Sequence, residues 1–197
     1  MKIIGITGGI GTGKSTVLSI LEKEHQAYIV ETDKLAHKLM SPGQVAYNEI
    51  VAFFGTSILQ DDQSIDRAKL GQIVFQDETK LQQLNSIVHP AVKQYILRDI
   101  EEKRQDGKLS YYVIEAALLI EDGYKSICDE MWYIYASQQL RIQRLLKGRG
   151  GTEEKWLQVI QNQSSERFYQ EHCDVIIDNG DSVDKTSEAI KVLLCKQ

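Results

Sequence analysis

The residues with the clearest chemical spacing lie close behind the N-terminus. Gly8-Gly9-Ile10-Gly11-Thr12-Gly13-Lys14-Ser15 fits G-x-x-x-x-G-K-[ST], the phosphate-cradling loop of many nucleotide-binding proteins. Glycines let the backbone turn tightly and aim several N–H groups at one point, where a β-carbon would clash. Gly9, Gly11, Thr12 and Gly13 are the expected amide donors. Lys14 is expected on the β- and γ-phosphates of ATP, Ser15 on Mg²⁺, and Thr16 near the α-phosphate. A helix that follows directs the positive end of its dipole at the anion.

Further ionisable residues fall at the ends of apolar runs. Glu31-Thr32-Asp33 follows Ala27-Tyr28-Ile29-Val30, and Glu115 follows residues 109–114. In open α/β sheets ligands bind outside the carboxyl ends of the strands, so these carboxylates are placed for chemistry. If the strand continues, Glu31 and Asp33 share a face. Asp33 is then a base or orienting group for an acceptor hydroxyl, or else the N-cap of a helix from Lys34. Arg141, Arg144 and Lys147 recur at i, i+3 and i+6, ahead of Gly148-Arg149-Gly150-Gly151. That pattern reads as a mobile basic lid over phosphates, or as a solvated helix face. Arg67 and His89 are polar candidates within a helical stretch, each with an ordinary surface or packing alternative.

The elements that must position these groups are readable from apolar periodicity. Residues 2–7 form a β-rich run, and residues 15–24 carry Val17, Leu18, Ile20 and Leu21 at helical spacing. Strands are expected at 27–30, 109–114, 131–135 and 175–177, and a closing amphipathic helix at 182–194. Residues 34–104 look helical, with segments at 34–40, 45–54, 67–75, 78–88 and 91–103, the last two separated at His89-Pro90. This insertion is too long for a simple crossover and reads as an acceptor-binding subdomain. The expected organisation is a core of residues 1–33, 107–138 and 173–197, a helical subdomain at about 34–106, and a lid at about 139–172.

Composition narrows the class. A chain of 197 residues, 42% hydrophobic and 26% charged, suits one globular unit with a movable part. The net charge of −5 comes with no Lys/Arg block, so neither nucleic acid nor an anionic membrane surface is an expected partner. Three cysteines without ligand spacing argue against a disulfide frame or a zinc site. Met1-Lys2 leads straight into the first apolar run, with no signal-peptide pattern and no run long enough to span a bilayer. A cytoplasmic soluble protein, monomeric or weakly self-associating, is expected.

The segment from Gly5 to Thr16, Gly-Ile-Thr-Gly-Gly-Ile-Gly-Thr-Gly-Lys-Ser-Thr, resembles the P-loop of dephospho-coenzyme A kinases, which reads GLTGGIGSGKST. The likeness runs along nearly the whole chain. Glu31-Thr32-Asp33 is similar to that family's D-A-D, with Asp33 at the position of the catalytic base. Ser41-Pro42-Gly43, Arg67 with Leu70 and Phe75, and Ile87-Val88-His89-Pro90 follow in the family's order. Leu118-Leu119-Ile120-Glu121 resembles P-L-L-F-E. Arg144-Leu145-Leu146, Gln163 and Asp174-Val175-Ile176-Ile177-Asp178-Asn179 match the family's closing motifs. Glu31 stands for Asp, Ala117 for Pro, Gly148 for the usual lid arginine with Arg149 one place later, and Arg141 for a frequent Gln.

The resemblance implies a P-loop kinase fold, with a five-stranded parallel sheet flanked by helices, a helical coenzyme A-binding subdomain and a lid. It implies transfer of phosphate from ATP to the ribose 3′-hydroxyl of dephospho-coenzyme A. Glu31, Asp33, Arg67, His89 and Glu121 would then face the acceptor, and Arg144 and Arg149 the phosphates. Two other readings stay open: a P-loop kinase for another small acceptor such as a nucleoside monophosphate, and a nucleotide-binding switch acting through a protein partner.

Overall fold

The computed structural model describes residues 1–195; Lys196 and Gln197, the end of the expected core segment, lie outside the described residues. The chain divides into two compact units, one of residues 1–30 and 107–197, the other of residues 31–106.

The first unit is an α/β layer structure. Its strands are β1 (Lys2–Thr7), β2 (Tyr28–Glu31, whose last residue begins the other unit), β3 (Tyr111–Glu115), β4 (Glu130–Tyr135) and β5 (Val175–Asp178). They form one five-stranded sheet in the order β2-β3-β1-β4-β5. The β1–β3, β1–β4 and β4–β5 pairings are all parallel. Parallel strands are buried on both faces, which is why they read as unbroken apolar runs rather than as alternation. Ile4, Ile6, Val113, Trp132 and Ile134 are at 0% exposure on this basis. Helices α1 (Lys14–His25) and α9 (Val183–Cys195) cover one face, packing Val17, Leu21, Ile190 and Leu194 onto those strands. β1 lies between β3 and β4, so the chain reverses its direction of travel across the sheet there, and the loop after β1 opens at the switch point where α/β proteins bind ligands.

Between β4 and β5 come α6 (Gln138–Arg149), α7 (Glu153–Gln161) and α8 (Glu166–His172). The hydroxyls of Ser137, Thr152 and Ser165 cap their N-termini. The glycine-rich break holds an ordered turn: Gly150 and Gly151 take φ of 66° and 87°, and Trp156 Nε1 donates to Gly150 O at 2.7 Å.

The second unit is helical, with α2 (Thr32–Leu39), α3 (Tyr47–Phe54), α4 (Arg67–Phe75) and α5 (Glu78–Asp106) around Leu39, Ile50, Ile58 and Ile96. Two expectations are corrected here. The strand before Asp33 does not continue: α2 starts at Thr32, with Glu31 in the cap position. Asp33 therefore sits in the first helical turn and is not the cap. The break expected at His89-Pro90 is absent, because α5 runs through Pro90 without interruption. An interior proline costs a helix about 3 kcal/mol. Ile87, Val88, Val92 and Ile96 around it are all buried, and each contributes roughly 1.5–3 kcal/mol, so burial outweighs the lost hydrogen bond.

Candidate active site

Sequence dictates the loop after β1 residue by residue. Gly11 and Gly13 adopt φ of 80° and 90°, in the left-handed region that a side chain resists. A β-carbon on Gly13 would also strike the side-chain amide of Asn179. Gly13 is the N-cap of α1 and offers no side chain to the first-turn amides, and no acidic residue lies in that turn. Those amides and the helix dipole together make a site for an anion. Ser15 is exposed beside them, and Thr12 is buried with its hydroxyl donating to Gly9 O at 2.9 Å.

Lys14 Nζ donates to Gly8 O at 2.9 Å and lies 3.5 Å from Glu115 Oε1, at the end of the neighbouring strand β3. The loop thus holds its own lysine folded against it, with a carboxylate alongside. Ser15 and Glu115 are oxygen ligands of the type Mg²⁺ takes, and Mg²⁺ needs only one or two protein oxygens besides phosphates and water. Among the described residues there is no cluster of three or more His, Cys, Asp or Glu that would hold a metal by itself.

A second layer grips the loop from behind. Arg141 Nε donates to Ile10 O at 2.8 Å and its Nη2 to Gln163 Oε1 at 2.7 Å, while that same oxygen accepts from Ile10 N at 3.0 Å. Arg144 donates to Thr12 O at 3.1 Å and to Asn179 O at 2.7 Å. Asn179 Nδ2 donates to Thr12 O at 2.8 Å, and its Oδ1 accepts from Thr186 Oγ1 at 2.9 Å. Ile10 packs on Ile142, Leu145, Trp156 and Ile160, so α6 and α7 are anchored directly on the loop. Burial pushes the Tyr133 phenol up to about 12, and Tyr169 stacks on it with ring centroids 4.7 Å apart. Burial also pushes the Arg141 guanidinium below its ordinary value, against the opposing influence of Tyr133, Tyr169 and Glu166.

Asn179→Ala removes the side-chain amide that donates to Thr12 O and leaves the buried Thr186 hydroxyl without its acceptor on residue 179. The expected loss is about 1–3 kcal/mol, read as a lowered urea midpoint. An unchanged midpoint would show that the loop keeps its shape without this side chain.

Of the residues singled out from sequence, Gly9, Gly11, Thr12, Gly13, Lys14, Ser15 and Thr16 come together at the loop, and Arg144 joins them. Arg149 is exposed at the end of α6, and Glu121 accepts a hydrogen bond from Ser164 Oγ at 2.9 Å. In the helical unit Asp33 is exposed on α2, and Glu31 pairs with Lys34 at 2.6 Å. Arg67 Nη1 donates to His37 Nδ1 at 3.0 Å, and both line a cleft of about 560 Å³ with Ser41 and Ser64. His89 lies half-buried along α5. The sequence singles out Glu115, Arg141, Gln163 and Asn179 but not their contacts with the loop. A helical-phase reading held the clue for one of them, since Arg141 shares an i, i+4 face with Leu145 and both are buried.

A family model described as dephospho-CoA kinase matches residues 2–185. A dephospho-CoA kinase of Carboxydothermus hydrogenoformans is 39% identical over 100% of this chain and 94% of the relative. A dephospho-CoA kinase of Campylobacter jejuni with a solved structure superposes with a TM-score of 0.73 at 25% identity, over 98% of this chain and 96% of that one. A crystal structure of a Thermus thermophilus protein, TT1252, gives a TM-score of 0.81 at 25% identity, over 99% and 97%. The match is full-length, includes the loop and both units, and favours neither the nucleoside monophosphate kinase nor the switch. The chain belongs to the dephospho-CoA kinase family.

Proposed function

We propose that the chain transfers the γ-phosphoryl group of ATP to the ribose 3′-hydroxyl of dephospho-coenzyme A, giving ADP and coenzyme A, the final step of coenzyme A biosynthesis. The observation that carries this reading is the uncapped, acid-free N-terminus of α1 behind a glycine loop with Lys14 folded into it, in a chain matched over residues 2–185 by the family. The loop amides and Lys14 take the β- and γ-phosphates, and Thr16 takes the α-phosphate. Ser15 and Glu115 would hold Mg²⁺, which would supply charge neutralisation at the transferred group. Asp33 orients the 3′-hydroxyl and accepts its proton as the new O–P bond forms and the β–γ bridging bond breaks. Residues of the helical unit, with Arg67, His89 and Glu31 among them, and Glu121 outside it bind the acceptor; Arg144 and Arg149 of the 139–172 segment steady the phosphates.

No helix among the described residues is long and apolar enough to cross a membrane. Cys128, Cys173 and Cys195 are all free, and burial pushes the Cys128 thiol up to about 12, which makes it unreactive as a nucleophile. The proposed setting is the cytoplasm, with the enzyme a monomer or weak homo-oligomer.

Measuring ADP release over dephospho-coenzyme A, AMP and no acceptor tests the reading. Release is expected to depend on dephospho-coenzyme A. Equal rates with all three would identify an acceptor-independent ATPase and sink the proposal, and preference for AMP would restore the nucleoside monophosphate kinase.

A further inference from the structure

Arg141 has a role that the transfer reaction does not require of it by itself. It is 7% exposed, and it is the only arginine among the buried polar and charged side chains of the described residues. Its hydrogen-bond acceptors, Ile10 O and Gln163 Oε1, are both neutral oxygens. No carboxylate pairs with it among the described residues; Glu166, the acidic residue that influences it, is exposed and makes no ion pair with it. A buried cation without a counter-charge costs stability, and replacing such a group by a neutral one is often neutral or stabilising. The folded chain nevertheless keeps this charge pressed against the loop, where a β-carbon on Gly9 would collide with its guanidinium.

An anion bound in that loop would supply the counter-charge. Lys14 already has Glu115 beside it, and Arg144 is half-buried, so its charge is partly screened by solvent. Arg141 is the fixed, desolvated one, and charges interact most strongly where water is excluded. We propose that Arg141 is the resident counter-charge of the nucleotide's phosphates, a buried guanidinium whose cost in the free protein is offset when a polyphosphate fills the loop. It is a positioning residue for nucleotide affinity and touches no reacting atom. The inference rests on the reading that the loop binds ATP.

The test compares full-length wild type, R141Q and R141K by calorimetry with ADP and with inorganic pyrophosphate, and by thermal melting of the free proteins. R141Q keeps a hydrogen-bonding side chain without charge, and R141K keeps charge without the planar fork. Binding of both ADP and pyrophosphate is expected to weaken about tenfold in R141Q and to stay within about threefold of wild type in R141K. The free R141Q protein is expected to melt at the wild-type temperature or above it. Wild-type ADP affinity in R141Q overturns the inference. So does R141K falling as far as R141Q, which would make the clamp geometry, not the charge, the active feature. A free R141Q that melts well below wild type, or does not fold, overturns it too by making Arg141 a scaffold residue. A wild type that binds no ADP at all overturns the nucleotide-site reading, and this inference falls with it.

Discussion

Lys14→Met is expected to lower kcat/KM for ATP by at least about 10³-fold while leaving the melting temperature close to that of wild type. Methionine keeps the length and flexibility of the side chain, so packing around the loop is preserved. The charge is what disappears. In the folded chain the ammonium is held 2.9 Å from Gly8 O and 3.5 Å from Glu115, inside the loop that receives the phosphates. Phosphoryl transfer offers the protein little covalent chemistry, so positioning and charge neutralisation supply most of the acceleration, and one well-placed donor is worth roughly 10²–10³ in rate. Steady-state kinetics, ADP titration and thermal melting of wild type and Lys14→Met check this. A loss of less than about tenfold in kcat/KM removes Lys14 from the phosphate site.

The residues at the front of this site were legible from the chain, and those behind it were not, for a physical reason. The glycine loop, the buried strand before it and the helix after it are local, so propensity and periodicity place them. The parallel sheet follows from short apolar runs that lack alternation. The grip on the back of the loop is different: Arg141 reaches Ile10 across 131 positions, Gln163 reaches it across 153, and Asn179 reaches Thr12 across 167. No window of sequence contains such a pair, and the basic i, i+3, i+6 row looks alike whether it faces solvent or a loop. Its first two members donate to backbone carbonyls of the loop, contacts that no helical-face pattern announces. The unbroken α5 was hidden by a conflict of scales. Pro90 is a strong local signal against a helix, and only the tertiary burial of Val88 and Val92 on either side outweighs it.

Asp33→Asn is expected to lower kcat by about 10²-fold, roughly 2.7 kcal/mol of transition-state stabilisation, with ADP affinity unchanged. Asp33 is exposed in the first turn of α2, and among the described residues no hydrogen bond or ion pair engages its carboxylate. The cap position belongs to Glu31, whose own carboxylate pairs with Lys34. Asp33 is thus free of structural duty apart from a favourable charge at a helix N-terminus, worth about 0.3–1 kcal/mol. Asparagine keeps the size and loses the charge and the basicity, so the fold should tolerate it with a small drop in melting temperature. The two roles then separate by magnitude. A structural role predicts a stability loss of up to about 1 kcal/mol and unchanged turnover. A role in accepting the 3′-hydroxyl proton predicts near-wild-type stability and a fall in kcat far larger than any change in ADP binding. Glu31→Gln is the internal comparison, because it removes a neighbouring carboxylate already held by Lys34 and should cost turnover much less. Turnover in Asp33→Asn equal to wild type, or a fall no greater than that in Glu31→Gln, would take Asp33 out of the mechanism and leave deprotonation of the acceptor to solvent or to the γ-phosphate itself.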